Sequence, residues 1–291
     1  MYLFGLLPVV SIIILTKKLF FKNKVKYHFI SFYSEGSPYD KGKPLYDCVE
    51  RVRKNAKGHF DTITFYTPCI LESLGYSTYL REYPLTPMIK QYTPVEKIGL
   101  SSFRPAMFLH ELSKMRNGDI LVHRDINYKK YPSYIIFDDI RNTAKMCLDI
   151  CEFDFFVPKY SGNTMLNKGF IKTNVIRELG EDHPFSYEYP LLHAYFFVMK
   201  KTPVTIQLLQ EWQEAMENER WLNGEIYGEM HKDFLGTHCL DQAILSIIIA
   251  NWIRKRKHNI SLTYPYISFE NKDISKIENN TNYEYLQLLE Y

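Results

Sequence analysis

The sequence predicts an α/β fold, in which helices cover both faces of a mainly parallel central sheet within a single domain. Strand-type and helix-type segments alternate along the first half of the chain, which is the pattern of βαβ units. One of the strand-type segments, at 119–124, contains the apolar run Ile120-Leu121-Val122, which is typical of a buried strand. Apolar residues make up 46% of the 291 residues, which is enough for a sizeable core and too many for a disordered chain.

The order of the elements follows from the spacing of apolar and β-type residues. In the first half, strands are predicted at 26–33, 61–66 and 119–124, and helices at 45–56 and 103–115. In the second half, helices are predicted at 141–151, 174–179, 203–217 and 241–252, and strands at 153–157, 194–199 and 261–267. We expect Gly180 to cap the helix before it and Pro203 to begin a helix, where its missing N–H costs nothing.

Composition argues against two classes of function. The 36 basic and 33 acidic residues leave a net charge of +3, which is too small for the strong basic field of a nucleic-acid-binding protein. The five cysteines are odd in number and contain no Cys-x-x-Cys pair. A zinc site is therefore not expected.

The N-terminal segment is a candidate membrane anchor. Residues 2–15 are almost purely apolar, and as a helix they would span about 21 Å. A signal anchor, a cleaved signal peptide and a buried first strand are all compatible with this run. The basic residues follow the run and no small-residue cleavage site does, which favours a single-pass anchor at 1–24. The globular domain would then cover 25–269, and 270–291 form a polar tail.

The segment 118–127, with the sequence GDILVHRDIN, carries the strongest chemical signal. Its apolar strand leads directly into Asp125 and Asn127, and open α/β sheets bind ligands outside the carboxyl ends of their strands. Carboxylate and amide oxygens are ligands for hard cations such as Mg²⁺ or Mn²⁺, which readily bridge a diphosphate. The plainer interpretation is that the two residues only form a turn or a helix cap.

Four segments together resemble GT-A-type glycosyltransferases, particularly those of large DNA viruses and of bacterial capsule or lipopolysaccharide clusters. They are 61–68 (DTITFYTP), 103–105 (FRP), 118–127 (GDILVHRDIN) and 237–245 (THCLDQAIL). Each match is loose, but their order and spacing follow the family. The resemblance extends over about two-thirds of the chain, from residue 61 to residue 251.

The resemblance implies a GT-A-like fold and the transfer of a sugar from a nucleotide-sugar donor to a hydroxyl of a glycan or glycoconjugate, assisted by Mn²⁺ or Mg²⁺. The Asp-Gln pair of the last segment is similar to that of retaining families, which favours retention of the anomeric configuration. The site residues expected on these grounds are Asp241 and Gln242 for catalysis, Arg104, Arg124 and Lys168 for donor binding, and Asp125, Asn127 and His238 for the metal.

Two departures from the family pattern keep a second hypothesis open. Asn127 stands where a second acidic residue is usual, and an amide is a weaker cation ligand than a carboxylate. Arg124 stands where a small or apolar residue is usual, and it can pair with a phosphate or with Asp125. These residues favour the alternative of a sugar- or nucleotide-binding protein that kept the fold and lost catalysis. A nucleotidyltransferase is disfavoured, because 34–44 contains Gly36 and Gly42 but lacks the basic-residue pattern of a glycine-rich phosphate loop.

Overall fold

A computed structural model describes part of the chain, namely residues 24–33, 49–50, 52–54, 56–81, 98–125, 148, 154–157, 165–192, 194, 196–222, 231–233 and 240–256. Within these ranges, no helix has the length and apolar character needed to span a bilayer. Several predictions lie wholly or mostly outside the described residues. They are the anchor at 1–24 except for its last residue, the site residues Asn127 and His238, most of the helix at 141–151, the strand at 261–267 and the tail at 270–291.

Five strands form one open, mixed sheet in the order β2-β1-β3-β5-β4. β1 (Tyr27–Phe32) lies between β2 (Thr62–Tyr66) and β3 (Ile120–Arg124) and is parallel to both. β5 (Phe196–Lys200) is antiparallel to β3 and to β4 (Phe155–Phe156). The α/β class is confirmed, and the sheet is mixed. Four of the described strands share one direction, whereas β5 runs antiparallel to both of its neighbours, which the prediction of a mainly parallel sheet did not include.

The helices of the described residues surround this sheet. The named α-helices are α1 (Pro68–Ser73), α2 (Phe103–Lys114), α3 (Asn167–Phe170), α4 (Thr173–Leu179), α5 (Pro184–Glu188), α6 (Pro203–Met216), α7 (Glu219–Leu222) and α8 (Leu240–Arg256). Residues 49–50, 52–54 and 56 are helical as well. The predicted helices at 103–115, 174–179, 203–217 and 241–252 therefore correspond to α2, α4, α6 and α8.

Both predicted helix-end signals are found. α6 begins at Pro203, after Thr202, whose hydroxyl accepts a hydrogen bond from the N–H of Thr205 at 3.2 Å. Gly180 caps α4, and its N–H donates to the carbonyl oxygen of Ile176. Local sequence was sufficient at these ends, because caps depend on neighbouring residues only.

The core lies on both faces of the sheet, because successive strand residues point to opposite sides. Leu121 of β3 packs in one cluster with Phe108 of α2 and Trp212 of α6. The next residue, Val122, packs in a second cluster with Val52 of the helical segment on the other face. Helices cover both faces, as the sequence predicted.

The direction of β5 follows from the chain that leads into it. The N–H of Ala194 donates to Gln242 Oε1 at 3.3 Å, and Gln242 lies in the first turn of α8. The chain therefore enters β5 beside the carboxyl end of β3. For this reason β5 runs antiparallel to β3. The apolar run at 194–199 predicts a buried strand but contains no signal for its direction.

A topological switch point lies between β1 and β3. The chain passes from β1 to β2 on one side and later returns to β3 on the other side of β1. Neighbouring connections diverge at such a point and leave a crevice at the carboxyl ends of the strands, where open α/β sheets bind ligands. Asp125 is the first residue beyond β3 at this crevice.

Candidate active site

A buried ionic cluster lies at the carboxyl end of β3, and we call Arg104, Asp125 and Asp241 the Arg104 cluster. Arg104 Nη2 donates to both carboxylate oxygens of Asp125, at 3.2 Å to Oδ1 and 3.1 Å to Oδ2. Its Nη1 donates to Asp241 Oδ2. One guanidinium thus joins the end of β3 to the beginning of α8.

The three side chains differ in their access to solvent. Asp241 is 2% exposed and Arg104 is 8% exposed, whereas Asp125 is 31% exposed. Asp125 is therefore the member of the cluster that a ligand can reach without rearrangement of the other two.

Two helices begin at the cluster. Arg104 is the second residue of α2, and Asp241 is the second residue of α8. The first turn of a helix carries backbone N–H groups without intrahelical partners and the positive end of the helix dipole. This environment stabilises carboxylates and favours phosphate groups.

Arg104 is held in its charged form. Burial by itself would lower the pKa of the guanidinium, but the carboxylates of Asp241 and Asp125 outweigh burial and raise the pKa. A buried charge is tolerated when it is paired and hydrogen-bonded. The pairing with Asp241 and Asp125 meets that condition.

His123, in β3, lies next to Asp125 of the cluster. It has no exposed surface, and its Nε2 lies 3.7 Å from Asp125 Oδ1. Burial and the Arg104 guanidinium lower the pKa of His123 well below its usual value, so the ring is neutral. With one guanidinium and two carboxylates, the cluster then carries one net negative charge, which favours a cation beside Asp125.

Gln242 supports the segment before β5. Its Oε1 accepts a hydrogen bond from the N–H of Ala194 at 3.3 Å, and its carbonyl oxygen accepts one from Ser246 Oγ at 2.6 Å. The side-chain oxygen of Gln242 thus orders the chain beside the cluster. This is a supporting contact and does not test the predicted catalytic role.

Arg124 is the last residue of β3, and its predicted contact with the donor remains a prediction. Its side chain is buried, and strand alternation directs it to the face opposite His123, which packs against Phe108 of α2. The backbone of Arg124 nevertheless has a structural role, because its carbonyl oxygen accepts a 2.5 Å hydrogen bond from Ser31 Oγ of β1. This bond holds the end of β3 against β1.

Lys168 belongs to a different ionic group. Its Nζ lies 2.7 Å from Glu188 Oε1 and 3.5 Å from Asp233 Oδ2. The hydrogen bond to Glu188 is the main cause of its raised pKa. The structure records no contact between Lys168 and the Arg104 cluster, so its predicted contact with the donor remains a prediction.

Among the described residues, Asp125 is a candidate ligand for a cation. Asp125 has an accessible carboxylate whose oxygens retain acceptor capacity beyond the bonds from Arg104, so it fits a hard cation. No group of three or more His, Cys, Asp or Glu side chains suited to a metal occurs among the residues that the structure describes. The other predicted ligands, Asn127 and His238, lie outside those residues.

His123 is the residue of this site that sequence reasoning missed. A signal was present, because His123 directly follows the apolar run Ile120-Leu121-Val122 within a strand predicted to be buried. The sequence could not show that the ring would lie under Asp125, since that depends on how α2 and β5 pack against β3.

Comparison of the chain with protein-family models and with curated proteins finds no match.

Proposed function

We propose that the protein is a nucleotide-sugar-dependent glycosyltransferase with a GT-A-like fold. It would transfer a sugar to a hydroxyl of a glycan or glycoconjugate. Residues 1–24 would anchor the protein to a membrane. One observation supports this proposal above the others. Arg104 joins Asp125 and Asp241 at the switch point between β1 and β3, where open α/β sheets bind nucleotides.

The electrostatics of the cluster suit a diphosphate. The first turns of α2 and α8 provide backbone donors and positive dipole ends. The guanidinium of Arg104 has the planar fork that matches phosphate oxygens. When the bond between the sugar and the diphosphate breaks, negative charge builds up on the leaving group, and donors already in place stabilise it.

A divalent cation fits beside Asp125. Bound Mn²⁺ or Mg²⁺ would neutralise charge on the diphosphate leaving group. The carboxylate of Asp125 would hold it, and Asn127 and His238 remain the predicted further ligands. The net negative charge of the cluster favours such an ion.

Retention of the anomeric configuration is the expected outcome. An inverting reaction needs a carboxylate that removes the proton of the incoming hydroxyl. Asp241 is 2% exposed and bound to Arg104, so it is a poor base in this arrangement. We propose that Asp241 instead holds Arg104 in place, and that Gln242 orders the adjacent chain.

A donor screen tests the proposed function. Nucleotide sugars are incubated with a mixture of sugar acceptors and Mn²⁺ or Mg²⁺, and release of nucleoside diphosphate is measured. We expect release with at least one donor, and a loss of roughly a hundredfold or more in kcat for Asp125→Asn. Asp154→Asn is the matched control, because Asp154 pairs with Lys200 at the opposite edge of the sheet. A folded wild-type protein that releases no diphosphate from any donor contradicts the proposal.

The second candidate is a sugar- or nucleotide-binding protein without catalysis. The observation that favours it is that Arg104 Nη2 contacts both oxygens of Asp125, where a cation would otherwise bind. Calorimetry with a nucleoside diphosphate, with and without Mn²⁺, separates the two. Binding that Mn²⁺ strengthens, together with slow donor hydrolysis, supports the enzyme. Binding that is indifferent to Mn²⁺, with no hydrolysis, supports the binding protein.

A further inference from the structure

We propose that His123 is a positioning residue, which holds the Asp125 carboxylate when the donor diphosphate draws Arg104 away from it. This inference rests on the proposed function and deepens it. It concerns the state of the site after the donor binds, and it assigns a role to a residue that the mechanism above does not use.

The first observation is that His123 is an unpartnered polar group in the core. Its ring has no exposed surface and packs against Phe108 and Phe197, with ring centroids 5.0 Å and 5.6 Å away. Neither ring nitrogen has a hydrogen-bond partner among the residues that the structure describes. Native proteins rarely leave such groups unpaired, because each one costs free energy of folding. An apolar side chain at this position would not have this cost, which indicates that the imidazole has a role other than packing.

The second observation is the position of its nearest acceptor. His123 Nε2 lies 3.7 Å from Asp125 Oδ1, which is somewhat less than an ångström beyond a hydrogen bond of about 2.9 Å. A small rotation of the Asp125 carboxylate closes this gap. An imidazole that carries its proton on Nε2 can donate to that oxygen.

The third observation is that Arg104 donates hydrogen bonds to this carboxylate in the structure. Both oxygens of Asp125 accept from Nη2, while Nε of Arg104 has no hydrogen-bond partner within the described part of the chain. Diphosphate oxygens are strong acceptors for a guanidinium. When Nη2 turns toward them, Asp125 loses this donor, and the Nε2–H of His123 is positioned to replace it. Asp125 then keeps its orientation during the reaction.

Substitution at His123 separates positioning from a structural role. His123→Leu removes the donor and fills the same apolar space, so we expect kcat to fall roughly ten- to hundredfold. We expect the donor KM to stay nearly unchanged and Tm not to fall. His123→Gln should restore much of kcat, because its amide nitrogen reaches the place of the imidazole Nε2.

His28 offers a matched control at the other end of the sheet. It is a buried histidine of β1 whose Nε2 lies 3.7 Å from Asp119 Oδ2. His28→Gln should leave kcat at the wild-type value. If His123→Leu lowers Tm and kcat together and His123→Gln does not restore kcat, the inference is overturned and His123 is a packing residue.

Nuclear magnetic resonance of ¹⁵N-labelled histidine provides a readout that does not depend on turnover. The His123 signal is assigned by its loss in His123→Gln, and uridine or guanosine diphosphate is added with Mg²⁺. We expect the Nε2–H proton to move downfield as it begins to donate to Asp125. Calorimetric binding without that shift overturns the inference and leaves the proposed function standing. If neither diphosphate binds, both fail.

Discussion

At the scale of single residues, we expect the stability of the fold to depend strongly on the buried Arg104. Arg104 compensates two carboxylates, and Asp241 in particular is almost completely removed from water. Burying a charge is costly unless it is paired, and removal of one partner leaves the others uncompensated. Arg104 is therefore as important for stability as it is for the proposed chemistry.

Replacement of Arg104 should destabilise the fold strongly. We expect Arg104→Leu to lower the free energy of unfolding by roughly 3–5 kcal/mol, because Asp241 is left as an unpaired buried charge. Adding Asp241→Asn should recover much of this loss, since the carboxylate that needed compensation is gone. Urea unfolding of the two single variants and the double variant measures both effects.

A surface pair provides the control for this experiment. Arg53 pairs with Glu50, and both side chains are about half exposed. Arg53→Leu should change the free energy of unfolding by about 1 kcal/mol or less. If the double variant is no more stable than Arg104→Leu alone, the Arg104 cluster does not have the energetic role assigned to it.

At the scale of elements, Asp119, the residue before β3, stabilises the end of the sheet at which β1 and β3 begin. Its Oδ1 accepts from the N–H of Lys26 at 2.9 Å, and its Oδ2 accepts from the N–H of Arg116 at 3.2 Å. These bonds tie the beginning of β1 to the turn between α2 and β3. At this end of β3, Asp119 accepts from the backbone of Lys26 and from both the backbone and the guanidinium of Arg116. At the other end, the Arg104 cluster is made of side-chain contacts.

Asp119→Asn should destabilise the protein at neutral pH by roughly 1.5–3 kcal/mol, because the bonds of this residue involve a charged group. Burial would raise the pKa of Asp119, but hydrogen bonds from Arg116 and Lys26 outweigh burial and lower it. Its stabilisation is thus fully present above the unfolded pKa near 3.8 and is lost as the pH falls through the lower folded pKa.

Unfolding between pH 2 and pH 7 checks this pH dependence. The difference in stability between the wild type and Asp119→Asn should shrink as the pH falls below about 4. Asp61→Asn is the control, because the exposed Asp61 also accepts a backbone N–H at this edge, from Tyr27 at 2.8 Å. A difference that is constant across the pH range would show that the charge of Asp119 does not matter.

At the scale of the whole molecule, binding at the switch point should be visible in thermal stability. The Arg104 cluster links the end of β3 to α2 and α8, so its contacts exist only when these elements are assembled. A nucleoside diphosphate that binds there binds the folded state, and mass action then stabilises the fold.

We expect a nucleoside diphosphate with Mn²⁺, at a hundred times its Kd, to add about 2.7 kcal/mol of stability. For a chain of this size the rise in Tm should be roughly 4–5 °C. Differential scanning fluorimetry measures the rise, and Asp154→Asn should show the same value as the wild type. A rise that is equally large in Asp125→Asn would place the ligand away from the cluster.

Much of the fold could be predicted from local patterns. The boundaries of α2 and α6 agree with the sequence to within one residue, because apolar spacing and end signals act over a few positions. Asp125 could be proposed as a site residue for a similar reason, since a polar residue directly after a buried strand lies at a sheet edge. None of these predictions required knowledge of a distant contact.

The sequence by itself determined the α/β class, the order of most described elements, and the separate candidates Arg104, Asp125 and Asp241. Only the tertiary structure decided the antiparallel direction of β5, the bridging of two aspartates by one guanidinium, and the place of His123 beneath them. The physical reason is distance along the chain. Spacing and capping are read over a few residues, whereas Arg104 and Asp241 are 137 positions apart and meet only after the helices pack on the sheet.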